Sequence, residues 1–215
     1  MTVAVAQVLD SAQVLSPGVR VTYSRYMSVT PTDSALMLRY KDGDVAAFET
    51  LYRRHNDPLY RYLLRRCINR EAAEDVFQEV WGKIIKARAS YRRTAKFTTF
   101  LYRVAHNCFI DYIRRNKRHL ANTDTDPDHY ANPSDEPDLA AEKGFARQRL
   151  ELALLELPDE QRDVFLLHEE AGLTIDTIAH VTGVNRETAK SRLRYAISKL
   201  KASMAEAAKG RGAAS

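Results

Sequence analysis

Arg186, Lys190, Arg192 and Arg194 fall within nine residues of one another in the stretch "GVNRETAKSRLRY", Gly183 to Tyr195. Glu187 and Ser191 lie among them. Guanidinium forks, an ammonium and a hydroxyl in one short run suit recognition: such donors match phosphate oxygens and the edges of bases. Bond-making chemistry has weaker support. "HEEAG" begins like a zinc-protease helix at His168 and Glu169, but position 172 is Gly where a second His would be needed. The only two cysteines, Cys67 and Cys108, are far apart in sequence and sit in apolar-periodic segments, so they read as small core residues of a reducing compartment. No nucleophile, base and orienting group fall at recognisable spacing. No metal and no cofactor is expected, and the chain does not read as an enzyme.

Local elements must hold the cations in register. Thr174 can cap a short helix whose Ile175, Ile178 and Ala179 face inward. Gly183 supplies a turn of positive φ, Val184 packs, and Asn185 caps the next helix. Ala189, Leu193, Ala196, Ile197 and Leu200 then recur at helical spacing as one apolar stripe. Glu187, Lys190, Ser191, Arg194, Ser198 and Lys201 occupy the opposite face. This is a helix-turn-helix pattern with its donors outward; Arg186 and Arg192 flank the reading face and suit phosphates.

A second charged constellation precedes it. In "NREAAEDVFQEVWGKIIK", Asn69 can cap a helix with Ala73, Val76, Phe77, Val80 and Ile84 inward. Glu71, Glu74, Asp75, Gln78 and Glu79 crowd its other face, which suits a protein partner bearing a basic patch. "KARASYRRTAK" then interleaves Tyr91 with Arg88, Arg92, Arg93 and Lys96, a pairing of ring and cation suited to stacked bases and phosphates of a single strand. In the helix from Phe97 to Arg118, the spacing turns Phe97, Phe100, Leu101, Val104, Ala105 and Cys108 to the core. It turns Thr99, Arg103, His106, Asn107 and Arg114 outward.

The predicted fold is all-α: two small helical domains joined by an acidic linker. Eight Gly and seven Pro in 215 residues disfavour a loop-rich β fold. Residues 1–33 read as a poorly ordered extension, 34–118 as the first domain and 119–143 as a flexible linker. Residues 144–205 read as the second domain and 206–215 as a disordered tail. Breaks are expected at Asp42-Gly43-Asp44 and Asn56-Asp57-Pro58. No run reaches the roughly 18 apolar residues of a membrane span, and no signal peptide is evident, so the chain reads as cytoplasmic. The net charge of +5 is modest, and its placement matters more than its sum.

Five stretches in fixed order carry a resemblance: "GDVAAFETLYRRH", "AEDVFQEVW", "FTTFLYRVAHNCFIDYIRR", "LPDEQRDVFLLHEEAGLTIDTIA" and "TAKSRL". From Ser34 to Met204 the chain resembles the extracytoplasmic-function (ECF) sigma factors, the small members of the sigma-70 family. The resemblance implies a promoter-specificity subunit of bacterial RNA polymerase. Region 2 would dock on core polymerase through Glu74, Asp75, Gln78 and Glu79. It would melt and read the −10 element through Tyr91, Arg92, Arg93, Lys96, Phe100, Arg103 and Asn107, pocketing a flipped base in the loop from Ser90 to Lys96. Region 4 would read the −35 element through Arg186, Glu187, Lys190, Ser191, Arg192 and Arg194. The implied partners are core polymerase, promoter DNA and a regulator, either an anti-sigma factor or a Ser/Thr kinase, for which Thr50 is a conceivable phosphosite. Phe100 stands where the family has Trp, and Ala189 where it has Val. The rival reading is a stand-alone helix-turn-helix regulator that binds a duplex palindrome without polymerase.

Overall fold

Thr32 opens the first helix: its hydroxyl accepts from the Ala35 amide at 3.3 Å, and α1 runs Asp33–Lys41. Asp44 caps the second in the same way through Ala47, and α2 runs Val45–Arg66. Asn69 caps α3, Arg70–Lys86, through the Ala72 amide at 2.8 Å, as its position in the sequence predicts. A short 3₁₀ turn, Ala87–Ser90, leads to α4, Phe97–Ala121. The second group comprises α5 (Ala141–Leu155), α6 (Asp159–Glu169), α7 (Ile175–Thr182) and α8 (Arg186–Gly212). This computed structural model describes residues 30–67, 69–121 and 141–212, and every regular element among them is helical.

The α1–α4 group closes on Met37, Leu51, Leu59, Leu63, Ile84 and Leu101, each fully buried. Trp81 seals the side facing α2, edge-on to Phe48 at 5.8 Å between ring centroids and 4.9 Å from Tyr52. In the α5–α8 group, Val164, Leu166, Leu167, Ile178, Ala189 and Ala196 form the centre. Cys67 and Cys108 are both buried.

Four boundaries differ from those expected. Asn56-Asp57-Pro58 does not break the chain; α2 passes through with Pro58 inside it. An internal proline costs about 3 kcal/mol. Just beyond it Leu59, Tyr62 and Leu63 are 0% exposed. Burying each of these large side chains contributes about 1.5–3 kcal/mol, so packing outweighs the missing donor. α4 and α5 each reach three residues into the expected linker, to Ala121 and from Ala141. α8 continues to Gly212, past the expected end of the domain. The expectations for residues 1–29, 122–140 and 213–215 lie outside the described residues.

The two groups touch. Pro31–Ser215 is one compact unit, in which α2 packs on α6 and α4 on α7.

Candidate nucleic-acid interface

The helix-turn-helix forms as its residues predict. Thr174 accepts from the Thr177 amide at 3.3 Å and starts α7. Gly183 ends it in the left-handed conformation at φ 72°, where a side chain would be strained. Asn185 Oδ1 accepts from the Thr188 amide at 2.7 Å and starts α8. Ala189, Leu193, Ala196 and Leu200 are buried, with Ile197 packed against them. Glu187, Lys190 and Arg194 are exposed on the far side. The Arg194 guanidinium lies 5.1 Å from the centroid of the exposed Tyr195 ring. Ser191 is half-buried, and its hydroxyl donates to the Thr188 carbonyl at 3.0 Å.

The two proposed phosphate anchors are already engaged. Arg186 reaches Asp176 at 2.8 Å and Glu187 at 3.3 Å. Arg192 is half-buried and pairs with Glu160 of α6. The Arg186 pairs are well exposed and so add little stability. Arg192 also ties α8 to α6, so it orients the reading helix.

On α3 the expected docking residues separate into two kinds. Asp75 and Gln78 are exposed. Glu74 accepts from Arg70 at 2.9 Å and from the Tyr60 hydroxyl at 3.3 Å. Glu79 is half-buried between Lys83 at 2.9 Å and Arg115 of α4 at 2.7 Å. Burial pushes the Glu79 carboxyl up, but hydrogen bonds from Arg115 and Lys83 outweigh it and hold the group below its ordinary range. Glu79 therefore fastens α3 to α4 and is not a loose anion. Beside it, Tyr52, Asn56, Asp57, Tyr60, Glu74, Phe77 and Gln78 line a cleft of about 370 Å³ between α2 and α3.

The loop before α4 keeps Arg92, Arg93 and Lys96 exposed but not Tyr91. Tyr91 is 5% exposed, its ring 5.5 Å from that of Phe100, and its carbonyl accepts from Lys41 Nζ at 3.1 Å. The ring expected to stack on a base instead supports Phe100, which is half-buried. Asn107 is exposed on α4. Thr99, expected outward, is buried. Thr50 is half-buried, with its hydroxyl donating to the Ala46 carbonyl at 2.9 Å.

A polar cluster escaped the sequence reading. Asp163 of α6 is 3% exposed, and its carboxylate meets three groups of the other helical group. The Tyr62 hydroxyl donates to Oδ1 at 2.7 Å, Arg66 Nε lies 3.3 Å from Oδ1, and His106 Nδ1 lies 2.9 Å from Oδ2. Burial raises the Asp163 carboxyl, but the Arg66 charge and the contacts from His106 and Tyr62 outweigh it and hold it low. Arg66 also donates to the Asp159 carbonyl at 2.9 Å, and its guanidinium sits 4.1 Å over the Phe109 ring. Around this centre Glu170 pairs with Arg61 at 2.9 Å and with Arg65. Arg103, expected to face DNA, contacts His180 of α7 at 3.1 Å. His106, also expected outward, is half-buried at Asp163.

Among the described residues no group of three or more His, Cys, Asp or Glu is placed to hold a metal, and no helix is long and apolar enough to cross a membrane. Residues 51–119 match the family model for sigma-70 region 2, and residues 147–200 that for sigma-70 region 4. The ECF RNA polymerase sigma factor SigM of Mycobacterium tuberculosis is 31% identical over 169 residues, covering 79% of this chain and 83% of the relative. RNA polymerase sigma factor YlaC of Bacillus subtilis is 28% identical over 159 residues, covering 74% and 92%. In fold, the chain is similar to the sigma factor RpoE of Bartonella quintana, solved with the anti-sigma factor NepR. The TM-score there is 0.62 at 20% identity, covering 73% of this chain and 96% of that one. It is also similar to CnrH, solved with the cytosolic domain of CnrY, with a TM-score of 0.58 at 22% identity, covering 79% and 95%.

Proposed function

The chain belongs to the extracytoplasmic-function sigma factors of the sigma-70 family, and from that membership we propose how its surfaces divide the work. It is an alternative sigma factor that binds core RNA polymerase and directs initiation at its own promoters. The observation that carries this reading is the coexistence of both halves in one chain: a region 2 with an acidic α3 face, and a region 4 whose capped α8 presents Lys190 and Arg194 outward.

Asp75 and Gln78 dock on a basic surface of core polymerase, with Glu74 at the edge of the contact; Glu79 positions α3 from behind. Arg92, Arg93 and Lys96 track the phosphates of the opened −10 strand. Phe100, backed by Tyr91, offers a ring to a base, and Asn107 its amide to a base edge. Lys190, Ser191, Arg194 and Glu187 meet base edges of the −35 duplex in the major groove, while Arg186 and Arg192 exchange their carboxylates for phosphates. The protein acts in the cytoplasm, where its polymerase is, and makes no bonds of its own. An anti-sigma factor is the regulator most in keeping with the structural relatives, of which RpoE of Bartonella quintana was solved with one. The Thr50 hydroxyl is held by its own helix, which disfavours a kinase there.

Run-off transcription with core polymerase tests the reading. Specific transcripts from a native promoter should require this protein, and the protein alone should bind duplex DNA poorly. Equal transcripts with and without it would refute the reading.

A further inference from the structure

Asp163 is a buried carboxylate whose polar neighbours, Tyr62, Arg66 and His106, all come from region 2. Burying an ion costs several kcal/mol and is tolerated only where partners meet it. Here those partners exist only while α6 lies against α2 and α4. The rest of the junction is of the same kind: Glu170 with Arg61 and Arg65, Arg103 with His180, and Arg66 with the Asp159 carbonyl. Apolar residues of the two regions meet as well, in one continuous cluster, but the contact between regions is carried mainly by α2 on α6 and α4 on α7. The polar groups of the junction can all be rehydrated if the regions part, and buried ion pairs of this kind add little net stability. A small junction between domains that carries this many polar and ionic contacts is poised to open.

Geometry supplies the reason for opening, and this step rests on the sigma-factor reading. Elements centred about 25 base pairs apart, as −10 and −35 are, lie about 85 Å apart on a duplex rising 3.4 Å per pair. A compact body of the length of Pro31–Ser215 has a radius of gyration of about 16 Å and is about 40 Å across. The closed form cannot span both elements. The 19 residues between α4 and α5, 122–140, can reach about 65 Å when extended, and the two regions themselves cover the remaining distance. In the closed form Arg103 and His106, on the −10 helix α4, are also occupied by region 4.

We propose that Asp163, clasped by Tyr62, Arg66 and His106, is the latch of a closed form of the free protein that must open before both promoter elements can be held. Removing the Asp163 charge leaves Arg66, itself 4% exposed, without its carboxylate in the closed form only. The open form, where both side chains meet water, is barely affected. The perturbation therefore falls on the equilibrium between the two forms and not on the folding of either region.

The test compares the full-length chain with Asp163→Asn and, separately, with Glu170→Arg, which attacks the rim of the same junction. Small-angle scattering of the free proteins reads the dimensions, circular dichroism the helix content, and fluorescence anisotropy the binding of a −10 single-stranded oligonucleotide. Wild type should be compact. Both variants should keep their helix content, gain several ångströms in radius of gyration, and bind the strand about tenfold more tightly, as expected if the competent fraction rises by that factor. Adding Arg61→Glu and Arg65→Glu to Glu170→Arg should restore the compact form. Should Asp163→Asn lose helix, the Glu170→Arg pair of measurements decides alone. An extended wild type, or variants as compact as wild type, would overturn the latch. Opening without any promoter-specific transcription would leave the latch standing and refute the sigma-factor reading instead.

Discussion

Reversing charge at Asp75 and at Glu79 should give two different defects, although both residues belong to one acidic helix face in the sequence. Glu79 lies between Lys83 at 2.9 Å and Arg115 at 2.7 Å. Its side chain is 27% exposed, but those of Lys83 and Arg115 are 43% and 52% exposed, so solvent weakens both pairs. At about 0.5 kcal/mol each, the two pairs contribute about 1 kcal/mol. Glu79→Gln should lose about that much. Glu79→Lys should lose about 2 kcal/mol, because it sets a third cation against two. For a chain of this size 1 kcal/mol moves the melting temperature by about 2–4 °C, so the two variants should melt about 2–4 °C and 4–8 °C below wild type. Asp75 is exposed, and a surface substitution there stays within about 0.5 kcal/mol. Asp75→Lys should melt like wild type yet bind core polymerase at least about tenfold more weakly, because it turns an attractive charge at the docking face repulsive. Thermal melts by circular dichroism, paired with titration of labelled core polymerase, separate the two effects. The sign of the pH effect follows from the depressed Glu79 carboxyl: its stabilisation is present above the unfolded carboxylate range and is lost as pH falls through the folded one. The gap between wild type and Glu79→Gln should therefore close below about pH 4. Wild-type binding by Asp75→Lys, or a Glu79→Gln variant that loses polymerase without any drop in melting temperature, would refute the division of roles.

Three further outcomes are expected. Asn185→Ala removes the acceptor for the Thr188 amide, so it should cost about 1 kcal/mol and lower the melting temperature by about 2–4 °C; an unchanged melt would show that the cap carries nothing. Arg194→Ala should weaken binding to a −35 duplex by about 1–3 kcal/mol and relax its sequence preference, which competition between cognate and scrambled duplexes would reveal. Burial pushes the Cys67 thiol up to about 12, although Arg66 and Arg162 pull it the other way. In a Cys108→Ser background it should react slowly with a thiol reagent at pH 8, and faster when Asp163→Asn opens the junction beside it; equal rates would argue that Cys67 stays sealed in both forms.

Local chemistry made much of the fold readable from residues alone. Asn69, Thr174 and Asn185 cap the helices that their positions predict, because an N-cap depends only on a side chain and an amide three residues on. Gly183 is readable for a similar reason, since a tight turn at positive φ asks for one residue type. Pro58 misleads because its cost is local while its compensation is not: Leu59, Tyr62 and Leu63 are fully buried, and Tyr62 meets Tyr102 of α4 and Asp163 of α6, far along the chain. Tyr91 misleads in the same way. Its neighbours in sequence are cations, which suggested a ring presented to bases, whereas its neighbours in space are Phe100 and Lys41.

Asp163 marks where periodicity stops informing. In "DEQRDVFLLHEE" it is one of several acids on a helix whose apolar residues, Val164, Leu166 and Leu167, account fully for one buried side. Nothing within the helix distinguishes it from Asp159, which is well exposed, or from Glu160. The distinction comes from a second surface, carried by Tyr62, Arg66 and His106, which are about 100, 97 and 57 positions away. Those three are equally silent in sequence: a Tyr, an Arg and a His on helices that already have complete apolar stripes. Hydrophobic period reports which side of a helix is apolar and buried, and polar contacts between two helical groups leave no such period. The same property that hides the junction from the sequence also makes it easy to open. Groups that satisfy water as well as one another give neither a folding signal nor a strong bond, and an alternative sigma factor that has to reach two distant DNA elements gains from both regions being held, but not fused.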